Sequence, residues 1–287
     1  MLTAAPRVPR VSHFMLAGFV GAGVLPAQAQ DWMSQDFIPH GQESVVLELG
    51  GIVNRFDTSL RFDGSTRNGT DFKLEDNGLN NSLSSFDAAL TWRFAHRHRL
   101  DLEYYSANRS GSRTYTREID VGDTTFPIGA KVDLNAKDAF FNVDYRYSFT
   151  QSPEFEFAGL VGIYGGQFKF DLDAVGAAGT SGTVTQEYHK TTSTTVPLPL
   201  LGVSFDWYPD RRWSVTGLLR GMSAKIGDVD GHVYVATLST DYMFTRSLGL
   251  GARYTYTDIK ADVTKSDFNG NFGWKTNSVS LYGRFLF

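Results

Sequence analysis

The chain contains no cysteine, which removes both a disulfide framework and any Cys-ligated metal site. It also lacks a basic excess. The net charge is −4 and the pI about 5.9, with no basic patch, so no nucleic-acid partner is expected. Past residue 29 there is no long apolar run. A spanning helix takes about 20 apolar residues. Any crossing of a bilayer by the rest of the chain must therefore be made by a closed ring of strands, which satisfies its backbone polar groups internally.

The one apolar run stands at the amino end. Arg7 and Arg10 precede the stretch Phe14 to Leu25, and Ala27 to Ala29 supply small residues before Gln30. A basic start, a short apolar middle and an A-x-A site form the pattern of a secretory signal removed on export. The expected organisation is a signal peptide over 1–29, a short periplasmic segment over 30–43 and a β-domain over 44–287.

What the mature chain does have is alternation. In "FFNVDYRYSF", Phe141, Val143, Tyr145, Tyr147 and Phe149 share one face, and Asn142, Asp144, Arg146 and Ser148 share the other. An uncharged apolar face opposite one carrying both signs fits lipid outside and a polar lumen inside. Ser85 to Phe94 repeats the pattern. Further segments near 44–56, from 99, and near 154–171, 183–208, 213–226, 232–244, 248–263 and 272–287 bring the total to about ten. Even numbers suit single-chain bacterial barrels. The expected fold is all-β: a closed antiparallel transmembrane β-barrel of about ten strands with short periplasmic turns and long extracellular loops. Pro197 and Pro199 break the rule for a central strand, since proline donates no ladder bond, and predict a bulge or irregular rim there.

Connections and aromatics are sorted by end. The segments at Ala95, Thr150, Pro209 and Thr245 are tight, whereas those from Asp63, Asp120 and Val175 are long and polar. Beside the short turns stand Trp92, Phe94, Tyr147, Phe149, Phe205, Trp207, Trp213, Tyr242, Phe244, Phe285 and Phe287. Rings that are part polar and part apolar favour a membrane interface, so this clustering predicts a girdle.

The last segment, "SVSLYGRFLF", predicts the strand that closes the ring. It resembles the carboxyl-terminal signature of outer-membrane β-barrel proteins, which end in Phe after alternating apolar residues. Val279, Leu281, Phe285 and Phe287 match it, and Gly283 departs from the expected bulk. In architecture the resemblance is to the small OmpA-like and OmpW-like barrels. It implies residence in a bacterial outer membrane, contact with outer membrane lipid and lipopolysaccharide, recognition of the last strand by the barrel assembly machinery, and a monomer. It transfers no activity.

On these faces Glu48, Asp87, Arg93, Asp101, Glu103, Asp144, Arg146, Asp206, Arg220, Asp241, Arg253 and Arg284 point into the lumen. Ten strands make a narrow ring. Charges of both signs inside it predict either cross-lumen ion pairs that plug it or a narrow wet channel, since an unpaired charge in a dry interior is costly. The alternation alone is compatible with both.

Chemistry has few candidates. The lipid A deacylase and outer-membrane phospholipase families pair a His with a Ser two residues later, and neither His189 nor His232 is followed so. The omptin proteases, also ten-stranded, place an Asp-x-His pair between strands seven and eight, where Asp230 and His232 stand; such a pair can orient an imidazole to activate water. The family's acidic pair between strands three and four is not matched, because Asp120 and Asp123 have the wrong spacing. "DVDG" also reads as turn chemistry. The acidic stretch with Glu75, Asp76 and Asn77 lacks the spacing of an EF-hand loop. No catalytic residue, cofactor or metal site is expected, and the role anticipated is structural, surface-interacting or narrow-channel.

Overall fold

Residue-by-residue alternation becomes strand along most of the chain in the computed structural model, which describes residues 37–64, 68–76, 80–121, 124–126, 128–178, 184–264 and 269–287. The expected signal peptide lies outside these residues, as do Asn77 and Asp123. The strands are β1 (Val45–Phe62), β2 (Phe72–Lys73), β3 (Ser82–Ala95), β4 (His98–Thr114), β5 (Ile119–Val121), β6 (Thr124–Phe126), β7 (Lys131–Gln151), β8 (Phe155–Ala178), β9 (Val184–Trp207), β10 (Trp213–Ile226), β11 (Val229–Met243), β12 (Leu248–Thr264) and β13 (Asn269–Leu286). Ten of them pair antiparallel in a ring that β13 closes against β1. The two-residue β2 adds to the edge of β1, and β5 with β6 forms a separate hairpin.

Both faces of the wall change character halfway along. In β1 the outward side chains begin with Leu47, Leu49 and Val53 and continue with Arg55, Asp57 and Arg61; the inward ones begin with Glu48 and Asn54 and continue with Phe56, Leu60 and Phe62. β7 and β13 show the same reversal. Outward Phe141 and Val143 give way to Lys137 and Asp133, while inward Asp144 and Asn142 give way to Leu134 and Val132. The half near the chain termini thus has an apolar outside, as lipid contact requires. Beyond it the outside is polar, and the apolar side chains turn inward to bury themselves from water.

This reversal explains where the expected strand ends fall short. A template with one apolar outward face stops near Phe56 and starts again at Phe140, but β1 runs on to Phe62 and β7 begins at Lys131. Strands of up to 24 residues exceed the roughly 9–11 that a tilted spanning strand needs. The wall continues well past the apolar belt.

Past the belt the ring opens along two seams. Pairing of β3 with β4 ends at Asp87 and Tyr105, and pairing of β9 with β10 ends at Leu201 and Gly221. Pro197 and Pro199 stand immediately beyond that second stop, while the register of β9 against β8 runs through both without a break. Two prolines two residues apart remove two donors from the same edge. The prolines therefore lie in an edge stretch, not in a bulge, and among the described residues β10 pairs there with β11 alone. The extension is two sheets: β4, β7, β8 and β9 on one side, and β10 to β13, β1, β2 and the start of β3 on the other.

The connections are sorted less strictly by end than expected. Gly227, at φ +60°, and Asp228 close a tight β10–β11 turn at the far end, so Asp230 and Gly231 of "DVDG" are paired strand residues opposite Lys225 and Ala224. The long segment after β1 is partly core: Phe72 and Leu74 are buried. At the terminal end, Phe287 N–H donates to the Val45 carbonyl at 2.9 Å, and Ser44 and Val45 donate back to the Phe287 carbonyl. Phe285 lays its ring over Gly283, 3.3 Å from where a Cβ would stand, and so covers the gap the glycine leaves.

Candidate functional site

Inside the belt every ring strand contributes a charge to one layer. Arg284 (β13) bonds Glu48 (β1) at 2.6 Å and Asp241 (β11) at 3.2 Å. Glu48 also pairs with Arg253 (β12), which lies 3.6 Å from Asp87 (β3) and 3.9 Å from Glu103 (β4). Arg220 (β10) links Glu103 at 3.3 Å to Asp144 (β7). Arg146 donates to Asp101 at 2.5 Å. Arg99 joins Asp206 (β9) at 2.9 Å to Glu156 (β8) at 3.2 Å, and Arg93 reaches Glu156 at 3.0 Å.

All twelve sequence-assigned lumen charges thus stand in this layer, together with Arg99 and Glu156, which the assignment omitted. The signal for both was present, since Arg99 shares the parity of Asp101, and Glu156 stands between the outward Phe155 and Phe157. Hydroxyl groups complete the layer: Thr91 donates to Asp101, Thr216 to Asp206, and Tyr282 to Asp241 at 2.7 Å. A Cβ at Gly162 would strike Asp144 and one at Gly202 would strike Arg220. Glycine at those two positions makes room for the Arg220–Asp144 pair. The layer surrounds a cavity of about 120 Å³ bounded by Glu48, Asp101, Asp144, Arg146, Arg220 and Arg253 among others.

Side chains pack on both sides of the cavity. Toward the termini, Phe37 and Ile38 pack on Val46, Met243 and Leu286. Arg212 lies 4.9 Å over the Phe37 ring, and His40 stacks on Tyr208 at 4.2 Å while bonding the Asp210 carbonyl at 2.9 Å. Burial pushes the neighbouring Glu43 carboxyl up, but the His40 hydrogen bond and the Arg284 and Arg93 guanidiniums outweigh it, and the net direction is down. Away from the termini, the lumen is crossed by an aromatic layer. Tyr105 stacks on Phe140 at 4.7 Å, Phe140 meets Trp274 at 5.0 Å and Tyr164 at 6.0 Å, and Trp274 meets Phe56 at 5.2 Å. Beyond it Leu60, Phe72, Leu134, Leu172 and Phe272 continue the core.

A charged side chain is built into that core. Arg109 lies 4.0 Å over Phe56 and 5.0 Å from Trp274, donates to Glu75 at 2.8 Å and to Thr58 at 3.1 Å, and so ties the segment after β2 to β4. Glu75 is thereby an ion-pair partner within the wall.

The enzymatic candidates fall elsewhere. Asp230 and His232 are both on the outward face of β11, where His232 packs on Tyr234 at 5.1 Å and lies 3.9 Å from Asp258 of β12. Asp120 receives the Thr125 hydroxyl in the β5–β6 hairpin. His189 is exposed on β9, bonded to Asp173 and 3.2 Å from the Thr191 hydroxyl. Among the described residues no group of three or more His, Asp or Glu is placed to hold a metal ion.

No family model and no curated sequence matches the chain. Its fold does match solved structures. The outer membrane protease OmpT from Escherichia coli superposes with a TM-score of 0.58 at 8% identity, over 88% of this chain and 99% of that one. The translocator domain of the autotransporter NalP from Neisseria meningitidis gives 0.44 at 9% identity, over 91% and 95%. Ail, the attachment invasion locus protein of Yersinia pestis, gives 0.28 at 10%, over 84% and 99%. The fold is that of the bacterial outer membrane β-barrels, with transmembrane strands.

Proposed function

We propose that the chain is a sealed, non-enzymatic outer membrane barrel whose role is exercised by the two-sheet extension outside the cell. The observation that carries this reading is the aromatic layer of Tyr105, Phe140, Tyr164 and Trp274 across the lumen. Ions lose their hydration in passing packed apolar side chains, and an isolated charge in such a medium is costly. The ion-pair layer beneath then serves to fill the ring, with each guanidinium held by at least one carboxylate. The reading is tested in a planar bilayer, where the folded, inserted protein is expected to pass no steady current.

In size, and in the signature at Val279, Leu281, Phe285 and Phe287, we place the chain with the small OmpA-like and OmpW-like barrels. The exposed Phe287 ring is then the group offered to the barrel assembly machinery, and outer membrane lipid and lipopolysaccharide meet the belt. The barrel is read as a monomer. Substituting Phe287→Ser is expected to lower the inserted yield severalfold while leaving the sequence of the other strands intact; heat-modifiable migration of membrane fractions measures it.

The likeness to OmpT gives a protease a hearing, with Asp230 and His232 as its residues. Their outward placement on a convex wall supports the non-enzymatic reading, because water activation on a substrate needs a concave site that orients it. Peptide cleavage by whole cells, equal for wild type and His232→Ala and at background level, is the expected result.

A further inference from the structure

The two seams are not treated alike by the sequence. Along the β9 seam Pro197 and Pro199 blunt the free edge. Along the other seam, β4 from Ser106 to Thr114 pairs with β7 on one side, and among the described residues no strand pairs with its second side. This stretch holds no proline and no acidic residue, and its register against β7 is unbroken. Natural edges are usually shielded by charged side chains, prolines, bulges or an overlying element, and the charges of this one, Arg109 and Arg113, both lie on the face opposite its exposed uncharged side chains. Here the outward residues are Asn108, Ser110, Ser112 and Thr114, all exposed and uncharged.

Two arginines mark what chemistry suits this edge. Arg109 takes the Glu75 carboxylate at 2.8 Å, and Arg113 takes the Asp76 carbonyl. Both partners belong to the chain's own segment after β2, which reaches β4 by these side-chain contacts and not by a backbone ladder. The stretch thus carries two positive charges and no negative one, with Arg109 buried and Arg113 exposed.

We propose that the Ser106–Thr114 edge of β4 is a strand-addition site for an extended, acidic polypeptide segment outside the cell. Backbone N–H and C=O groups would give the affinity, and acidic side chains meeting the exposed Arg113 would give the preference. A second copy in the same membrane does not fit. It stands the same way up, so its β4 edge runs in the same direction, whereas every ladder in this sheet is antiparallel. The inference rests on the reading that the extension is the working part, but not on whether the lumen conducts.

The test uses the full mature protein in lipid nanodiscs and a synthetic eight-residue peptide of alternating threonine and glutamate, with a threonine and lysine peptide as control. Amide hydrogen exchange is followed across β4. Without peptide, alternate amides from Ser106 to Thr114 should exchange freely; with the acidic peptide they should slow by about tenfold or more, and the basic peptide should do less. Proline placed separately at the consecutive positions Ser110 and Gly111 must strike the seam-facing donor in one case, and that variant should lose the effect. Arg113→Gln, which removes the exposed charge of this edge, should abolish the preference for the acidic over the basic peptide. Full protection of the whole stretch in the free protein, protection that rises with protein concentration alone, or binding that survives both prolines would each overturn the proposal. A conducting barrel that still binds the peptide would instead overturn the sealed-lumen reading and leave this one standing.

Discussion

Glu156 shows how one side chain can organise a lumen. It is fully buried and holds Arg93, Arg99 and the Ser148 hydroxyl together. Removing one partner of a buried pair leaves an uncompensated charge, so Glu156→Ala should lower stability by about 3 kcal/mol, read from urea unfolding of the refolded protein. Glu43 supplies a pH-dependent counterpart. Its carboxyl lies below the ordinary 4.5, so its contribution is complete above the unfolded value and is lost as pH falls through the lower folded value. The segment it anchors, where Gln42 N–H donates to the Pro39 carbonyl, should therefore loosen in acid. Exchange of the Gln42 amide should quicken below about pH 4.5 in wild type, and Glu43→Gln should flatten that dependence.

At the scale of the strand, Pro197 and Pro199 decide where β9 leaves β10. Replacing both with valine restores two donors, and pairing should advance past Leu201; the amides of Met222 to Ala224, opposite the new stretch, should gain protection from exchange. The same strands show what a sequence can convey. Alternation located ten ring strands and put the charged side chains on one face, because the period of two is a property of the strand itself. It misplaced the ends because outside and inside exchange polarity at the rim of the belt, and a template fixed on one apolar face cannot follow Val53 to Arg55 or Ala139 to Lys137. The prolines were visible as an irregularity, but the cause, a shared unpaired edge, required the register. Arg109 gave no signal at all: its partners Phe56, Trp274 and Glu75 come from three distant stretches of chain.

For the whole molecule, one ring performs two tasks by changing what faces water. Within the belt it is a barrel filled with ion pairs; past it, two sheets share an apolar core across Phe170 and Phe272, 5.8 Å apart. On the reading proposed above, the core and the charged layer together close the lumen. Trp274→Ala, which removes a fully buried ring from the septum, should cost about 3–5 kcal/mol and is the change most apt to let water through. The most direct test is single-channel recording of the refolded protein, its insertion established beforehand by heat-modifiable migration. Silence from wild type and from Arg146→Ala alike is the predicted result. A steady conductance that Arg146→Ala alters would mean that ions pass through the charged layer and the septum, and would contradict the account.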